Sequence, residues 1–337
     1  MSSTSPTAAM PNPLDDTKVY TLADLKTWEK LRPGLPPSLA VLGDPVAHSV
    51  SPQMHNAALA ELAKQHAPLQ NWRYCKFEVK PRELKAALET FIKNNFLGLN
   101  LTVPHKIVAL DLVEIASNEA QAVGAVNTLV AKKSSAWNGF VTDPYGLGLA
   151  LQNELGVNFY SPEKTAVILG AGGAARSAAV YCLDSKSSAI WIGNRSMSNL
   201  TPLLERLRPF DPQNRIRGFD VANPPAQAWA KNAVIINATT VGMKRNDPLP
   251  FDVKLLGQDA KVFDMVYNRH GPTKFVAAAQ ARGLRAADGL GMLVWQGAKS
   301  LSIWIKAHEG IDITPEAIAP TMMAAACAAL GLPPRHA

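Results

Sequence analysis

Apolar residues recur along this chain in two alternating rhythms, one helical and one strand-like. Residues 22–31 have helical spacing, and Pro33-Gly34-Leu35-Pro36-Pro37 ends that pattern. The uninterrupted run Leu39-Ala40-Val41-Leu42-Gly43 reads as a buried strand. Ser51-Pro52 then predicts a helix start, with serine as N-cap and proline at the first helical position. That helix continues through Met54, Leu59 and Leu62. Residues 72–79 alternate like a strand, 83–94 read as a helix and 97–103 as another strand. Strand–helix–strand–helix alternation predicts parallel α/β structure.

The rhythm restarts near Asp143. Residues 145–155 read as a connecting helix. A strand over 166–169, a glycine turn, a helix over 174–183 and a strand over 189–192 make one βαβ crossover. Further strands are expected at 233–236, 262–263 and 285–287, and the chain is helical from Leu290 onward. The last helices are expected to return to the first domain. The fold class that results is two-domain α/β, an α/β substrate domain beside a Rossmann-type doubly wound domain. The expected boundaries are 1–37 for a partly disordered extension, 38–142 with 289–337 for the first domain, and 143–288 for the second.

Composition narrows the class. At 337 residues, with 47% hydrophobic and 18% charged residues, the chain reads as an ordinary soluble globular protein. Its start is rich in Ser, Thr, Pro and Ala and lacks the basic and apolar segments of a signal peptide. The apolar stretch over 322–332 is too short and alanine-rich to span a bilayer, so no membrane partner is expected. Cys75, Cys182 and Cys327 are far apart, with no Cys-x-x-Cys, which predicts buried thiols and a cytoplasmic location. The net charge of +7 comes from scattered residues without a dense basic cluster, so no nucleic-acid partner is expected. His48, His55, His66, His105 and His270 are not at metal-ligand spacing. They predict surface or cap roles, and no metal.

Two runs carry candidate chemistry. Gly170-Ala171-Gly172-Gly173-Ala174-Ala175 fits G-x-G-x-x-A between a strand and a helix. Its glycines permit a tight turn and close approach to a pyrophosphate, and the helix N-terminus supplies N–H groups for the anion. The next strand ends in Asn194-Arg195, without an acid to bind a ribose hydroxyl. Arginine there suits a 2′-phosphate, so NADP is favoured over NAD. The second run is Asn100-Leu101-Thr102-Val103-Pro104-His105-Lys106. Lys106, and Asp143 at the domain junction, are candidates to carry the proton that hydride transfer from an alcohol leaves behind.

These runs, with Ser49-Val50-Ser51-Pro52, Gly124-Ala125-Val126-Asn127-Thr128, Thr142-Asp143 and Asn237-Ala238-Thr239-Thr240-Val241-Gly242-Met243, occur in the order of a known family. So do Asp264-Met265-Val266-Tyr267-Asn268 and Asp288-Gly289-Leu290-Gly291-Met292-Leu293-Val294-Trp295-Gln296. Over residues 39–305 the chain resembles the shikimate dehydrogenases. The resemblance implies an NADP-dependent oxidoreductase acting on a secondary alcohol. It would reduce 3-dehydroshikimate reversibly to shikimate, in the pathway to chorismate and the aromatic amino acids. It implies Lys106 and Asp143 as the catalytic pair. Ser49 and Ser51 would bind the substrate carboxylate, with Tyr267 nearby, and Asn100, Thr102, Asn127 and Gln296 the ring hydroxyls. The cofactor would lie on Gly170, Ala171, Gly172, Gly173, Ala174, Asn194, Arg195, Thr239, Met265 and Gly289. The only expected partner is a small molecule, for a monomer or homodimer. A quinate or dual quinate/shikimate dehydrogenase is the alternative within the family, and a regulatory paralogue without turnover the alternative outside it. Ser49 and Ser51 together favour shikimate, and the presence of both Lys106 and Asp143 favours turnover. The chain departs from the family pattern at Val141, Pro144, Asn199 and Arg269.

Overall fold

The computed structural model describes residues 15–31, 39–132, 136–158, 164–185, 187–226, 232–244 and 246–337. The expected tail over 1–13 and the break at 33–37 lie outside these residues.

The first sheet collects β1 (Val19–Thr21), β2 (Leu39–Gly43), β3 (Tyr74–Glu78), β4 (Gly98–Leu101), β5 (Ile115–Ala116), β6 (Thr128–Lys132) and β7 (Ala136–Phe140). Their order is β1-β3-β2-β4-β6-β7-β5. Among its helices are α1 (Leu22–Lys26), α2 (Trp28–Leu31), α3 (Ser51–Leu62), α4 (Leu84–Lys93), α5 (His105–Val108) and α6 (Asn118–Val123). The expected strands and helices are present, with two corrections. Residues 15–31, read as a lead-in, add an edge strand: β1 pairs parallel to β3, and Thr21 caps α1 in a capping box. The sheet is also mixed, because β6 pairs antiparallel with both β4 and β7. A hairpin needs only a short link, whereas a parallel pair needs a long crossover.

α7 (Asp143–Leu155) leads to the second sheet. This sheet holds β8 (Thr165–Leu169), β9 (Ala189–Asn194), β10 (Ile216–Asp220), β11 (Ala233–Asn237), β12 (Lys261–Asp264) and β13 (Arg285–Asp288). Its helices are α8 (Gly173–Asp184), α9 (Met197–Leu207) and α10 (Lys274–Ala281). The order β10-β9-β8-β11-β12-β13 is entirely parallel. It is the doubly wound order, with its topological switch between β8 and β11, where such sheets bind ligands.

α11 (Leu290–Glu309) and α12 (Pro315–Leu330) pack on the first sheet. There they bury Val294, Leu301, Trp304, Ile318 and Met322 with Met54, Leu59 and Tyr74 in one cluster. α7 and α11 cross closely because glycine stands at the contact. A Cβ on Gly146 would lie 2.7 Å from the Met292 carbonyl oxygen and 2.8 Å from the Gln296 nitrogen. That closeness brings Gln296 to the start of α7.

At the far end of the α7–α11 contact, Glu154 is half-buried, and its buried Oε1 has no hydrogen-bond partner among the described residues. Burial first, then the nearby Asp288 carboxylate, push its carboxyl up to about 7. A carboxyl raised in the folded state contributes stability that is full below its unfolded pKa. That stability is lost as pH rises through the folded value. Glu154→Gln is therefore expected to raise the melting temperature relative to wild type at pH 8 and to change it little at pH 5. A difference independent of pH would rule this origin out.

Candidate active site

The ends of β4, β6 and β7 converge because antiparallel pairing brings the start of β6 beside the ends of both neighbours. Asn100 pairs with Thr128, and Thr128 with Phe140. Asn127, just before β6, extends this ladder. The Leu101 N–H donates to its carbonyl at 2.8 Å, and its own N–H donates to the Phe140 carbonyl at 3.0 Å. Lys106 follows β4 on the short helix α5, and Asp143 is the first residue of α7.

Lys106 Nζ donates to Asp143 Oδ2 at 2.5 Å. Asp143 is 3% exposed, and its other oxygen accepts from Asn127 Nδ2 at 2.9 Å. Asn127 Nδ2 also reaches Thr142 Oγ1 and Gln296 Oε1, while its Oδ1 accepts the Thr142 N–H at 2.8 Å. The junction thus keeps its geometry with valine at 141. Pro144 falls in the first turn of α7, where a missing N–H breaks no helical bond.

The polar network continues away from the lysine. Asn100 Nδ2 donates to Thr128 Oγ1 at 3.2 Å and Ser300 Oγ at 3.1 Å, and its Oδ1 accepts from Tyr74 Oη at 2.7 Å. The Thr128 and Ser300 hydroxyls are 2.8 Å apart, and Ser300 reaches Thr142 at 3.1 Å. Buried hydroxyls and amides therefore run unbroken from Tyr74 to Asp143. Tyr74, Thr128, Thr142 and Ser300 carried no role in the sequence reading. Ser300 had a signal: it stands four residues after Gln296 on one helix, which places both on the same face. Tyr74 had none beyond its strand position.

Ser49 and Ser51 are both buried. Ser49 Oγ donates to Ser51 Oγ at 3.2 Å, and the Ser51 N–H donates to Ser49 Oγ at 3.3 Å. Val50, not Ser51, is the N-cap of α3, and it makes no side-chain cap bond. The Ser51 side chain is engaged by Ser49 and is not used as a cap. Tyr267 lies half-buried beside this pair, with the Val50 backbone as a hydrogen-bond partner, and burial pushes its phenol up to about 12. Thr102 is half-buried, and its backbone joins Leu42 to the start of α5.

Two histidines depart from the surface or cap roles expected of them. His55 and His105 are 0% and 1% exposed. His55 Nδ1 bonds the Ser51 carbonyl at 2.9 Å, and its ring stacks on Tyr74. Burial pushes it down to about 4, so it is neutral. His105 Nε2 bonds the Val79 carbonyl. His55 thus packs beside the polar network, and His105 ties the start of α5 to Val79 after β3. Among the described residues no group of His, Cys, Asp and Glu could hold a metal ion.

The second sheet brings a glycine turn and a helix N-terminus against Lys106. Gly170 has φ +116°, a conformation that glycine adopts without strain, and a Cβ there would lie 3.0 Å from the Ala238 carbonyl oxygen. Gly172 is the N-cap of α8, and a Cβ on it would meet nothing within 4 Å. Gly173 and Ala174 begin the helix, and the half-buried Ala171 precedes it. A Cβ on Gly173 would lie 3.4 Å from Cβ of Lys106, so the α8 N-terminus abuts the lysine. Arg195 is exposed directly after β9, and Asn194 Nδ2 braces the turn by donating to the Ser196 carbonyl.

The loops after β11 and β12 complete the rim. Thr239 Oγ1 donates to Asn237 Oδ1 at 2.7 Å, and the Met265 N–H donates to the Asn237 carbonyl. Gly289 packs its Cα on the Met265 carbonyl, which a side chain would block. Beneath them Asp264, fully buried, accepts from Asn237 Nδ2 at 2.8 Å and Thr273 Oγ1 at 2.6 Å. This support is formed by residues distant in sequence. An open glycine N-cap, a helix N-terminus and an arginine at the next strand end fit a phosphorylated dinucleotide.

Residues 41–129 match the family model described as the shikimate dehydrogenase substrate binding domain. The chain is 36% identical to a shikimate dehydrogenase (NADP(+)) of Magnetococcus marinus over 79% of its own length and 90% of that protein. It is 36% identical to the corresponding protein of Gloeothece citriformis over 83% of its length and 94% of that one. Its structure is similar to that of the Thermus thermophilus shikimate 5-dehydrogenase solved in complex with NADP(H) and shikimate. The TM-score is 0.70 with 31% identity, covering 86% of this chain and 99% of that one. With this likeness extending across both sheets and the cleft between them, the chain belongs to the shikimate dehydrogenase family.

Proposed function

We propose that this enzyme interconverts 3-dehydroshikimate and shikimate with NADP(H), in the pathway to aromatic amino acids. The observation that carries the reading is the Lys106–Asp143 contact at 2.5 Å, set directly against the α8 N-terminus. We assign the substrate domain to 38–142 with 289–337, extended by β1 and α1, and the cofactor domain to 143–288. The buried thiols of Cys75, Cys182 and Cys327 support a cytoplasmic setting. Among the described residues no helix is long and apolar enough to cross a membrane. The working form is a monomer or homodimer.

The bound cofactor supplies hydride exchange at the substrate's C3. The chain supplies the rest. Ser49, Ser51 and Tyr267 hold the carboxylate at one end of the cleft. Asn100, Thr102, Asn127 and Gln296 hold ring hydroxyls between that end and Lys106. In oxidation the Lys106–Asp143 pair takes the proton of the C3 hydroxyl, and in reduction it returns that proton to the same oxygen. Asn127 keeps Asp143 aimed at the lysine throughout. Initial rates with shikimate and with quinate, each with NADP and with NAD, test the reading. Shikimate with NADP is expected to be the best pair. Equal use of quinate would support the dual-specificity alternative, and no turnover of either acid would sink the assignment.

Arg195 is assigned to the 2′-phosphate. It is exposed at the end of β9, and Asn199, exposed on α9, offers no second charge. Arg195→Ala is expected to weaken NADP binding and leave NAD nearly unchanged. The preference should shrink by about 1–3 kcal/mol, the scale of a hydrogen bond to a charged group. Equal losses for the two cofactors would show that Arg195 does not read that phosphate.

A further inference from the structure

Lys76 is a charged residue in the interior of the first sheet. It sits on β3, flanked by Val19 on β1 and Val41 on β2, and is 4% exposed. Its Nζ donates to the carbonyl oxygens of Ala47 at 3.2 Å and Ser49 at 3.3 Å. Those two neutral acceptors satisfy two of its three N–H donors. Among the described residues no carboxylate lies within ion-pair distance of it. Asp15 and Asp16 attract it from farther away, and Arg269 adds a second positive charge nearby. An ammonium withdrawn from water without a paired anion is costly to the fold. A buried methionine or leucine could fill a strand position without that cost.

The place where an anion would offset this cost is next door. Ser49 accepts from Lys76 through its carbonyl and turns its hydroxyl toward Ser51. The ammonium and the serine pair are thus at two ends of one residue. α3 begins at Ser51, so its N-terminal dipole favours a negative group at the same point.

We propose that Lys76 is the buried counter-charge for the substrate carboxylate, a positioning residue that makes the Ser49–Ser51 end select ionised acids. It acts through the 47–49 segment and does not touch the substrate. The inference rests on the functional reading above and adds a residue to it. The selected class is small polyhydroxy carboxylates, and uncharged polyols or esters of the same shape are discriminated against.

The test compares shikimate with its methyl ester, which keeps the ring hydroxyls and loses the charge. Steady-state constants are measured for wild type, Lys76→Gln, Lys76→Met and Lys76→Arg. Glutamine and methionine are expected to raise KM for shikimate by about tenfold or more, with kcat changed by less than about threefold. KM for the ester should move far less, so the acid-over-ester preference falls, while arginine retains most of it. Parallel shifts for acid and ester, or an unchanged KM for shikimate, would overturn the proposal and leave Lys76 as a brace for the loop. A measurement on wild type needs no variant to fold. In lysine-labelled protein followed by NMR, Lys76 should titrate at higher pH with shikimate bound than with the ester bound. Identical titration would likewise overturn it. A wild-type enzyme that oxidises neither compound would refute the functional reading instead.

Discussion

Lys106→Ala and Asp143→Asn are each expected to lower kcat by roughly a hundredfold or more, the usual scale for a general acid–base group. That corresponds to about 2.7 kcal/mol of transition-state stabilisation. KM for shikimate should change less, because the carboxylate and ring contacts proposed above lie on other residues. The two substitutions fail for different reasons. Alanine at 106 removes the proposed proton carrier and leaves a carboxylate that is 3% exposed without its cation. Some loss of stability is therefore expected with it. Asparagine at 143 keeps the shape and can still meet Asn127, but it cannot share a proton with Lys106. The Asn variant thus isolates proton transfer from packing, and its melting temperature should stay near that of wild type. Stopped-flow or steady-state rates over a pH series read the effect. Near-normal turnover in both variants would remove the pair from the mechanism.

Trp304→Ala is expected to cost about 3–5 kcal/mol of stability, read as a shift of the urea midpoint with an unchanged slope. Trp304 is 0% exposed, and its Nε1–H donates to the Leu129 carbonyl at 2.8 Å. Its ring lies on Gly98 of β4, where a Cβ would stand 2.1 Å from the indole nitrogen. Tyr74 and His55 pack beside it, with ring centroids 6.2 Å and 5.9 Å away. Truncation would open a cavity against the sheet and remove the indole's hydrogen bond to the Leu129 carbonyl. The effect should reach function, because α11 carries Ser300 and Gln296 one and two turns before the tryptophan. KM should rise with the loss of stability. A cost below about 1 kcal/mol would mean that α11 is anchored to the first sheet mainly by other residues.

The sequence alone determined what depends on neighbours within one element. The glycine turn at 170–173 was legible because a strand, glycines and a helix follow one another directly, and each residue's backbone requirement is local. The same holds for Lys106 after the apolar strand β4 and for Arg195 at the end of β9, the strand after the glycine turn. The order of motifs along the chain carried the family, since it spans nearly all of the ordered elements.

Only the tertiary structure decided the rest, and long-range pairing is the reason. The edge strand β1 is three residues long, too short to show a period, and exists because β3 offers it a partner. The hairpin of β6 and β7 turned an expected parallel sheet into a mixed one. That change of direction is what sets Asn127 against both Thr142 and Asp143. Ser51 looked like a cap from sequence spacing, yet Ser49 claims its hydroxyl and Val50 takes the cap position. His55 and His105 are polar residues whose partners, the carbonyls of Ser51 and Val79, become visible only when the chain is folded. Lys76 is the clearest case. In the sequence it is a charge between an alternating strand's apolar residues, where a solvated face is the ordinary reading. Folding buries it behind the serines, because the 47–49 segment lies over its ammonium and supplies the carbonyls that it donates to. Burial and charge pairing are properties of the assembled sheet, and no window of residues 74–78 contains them.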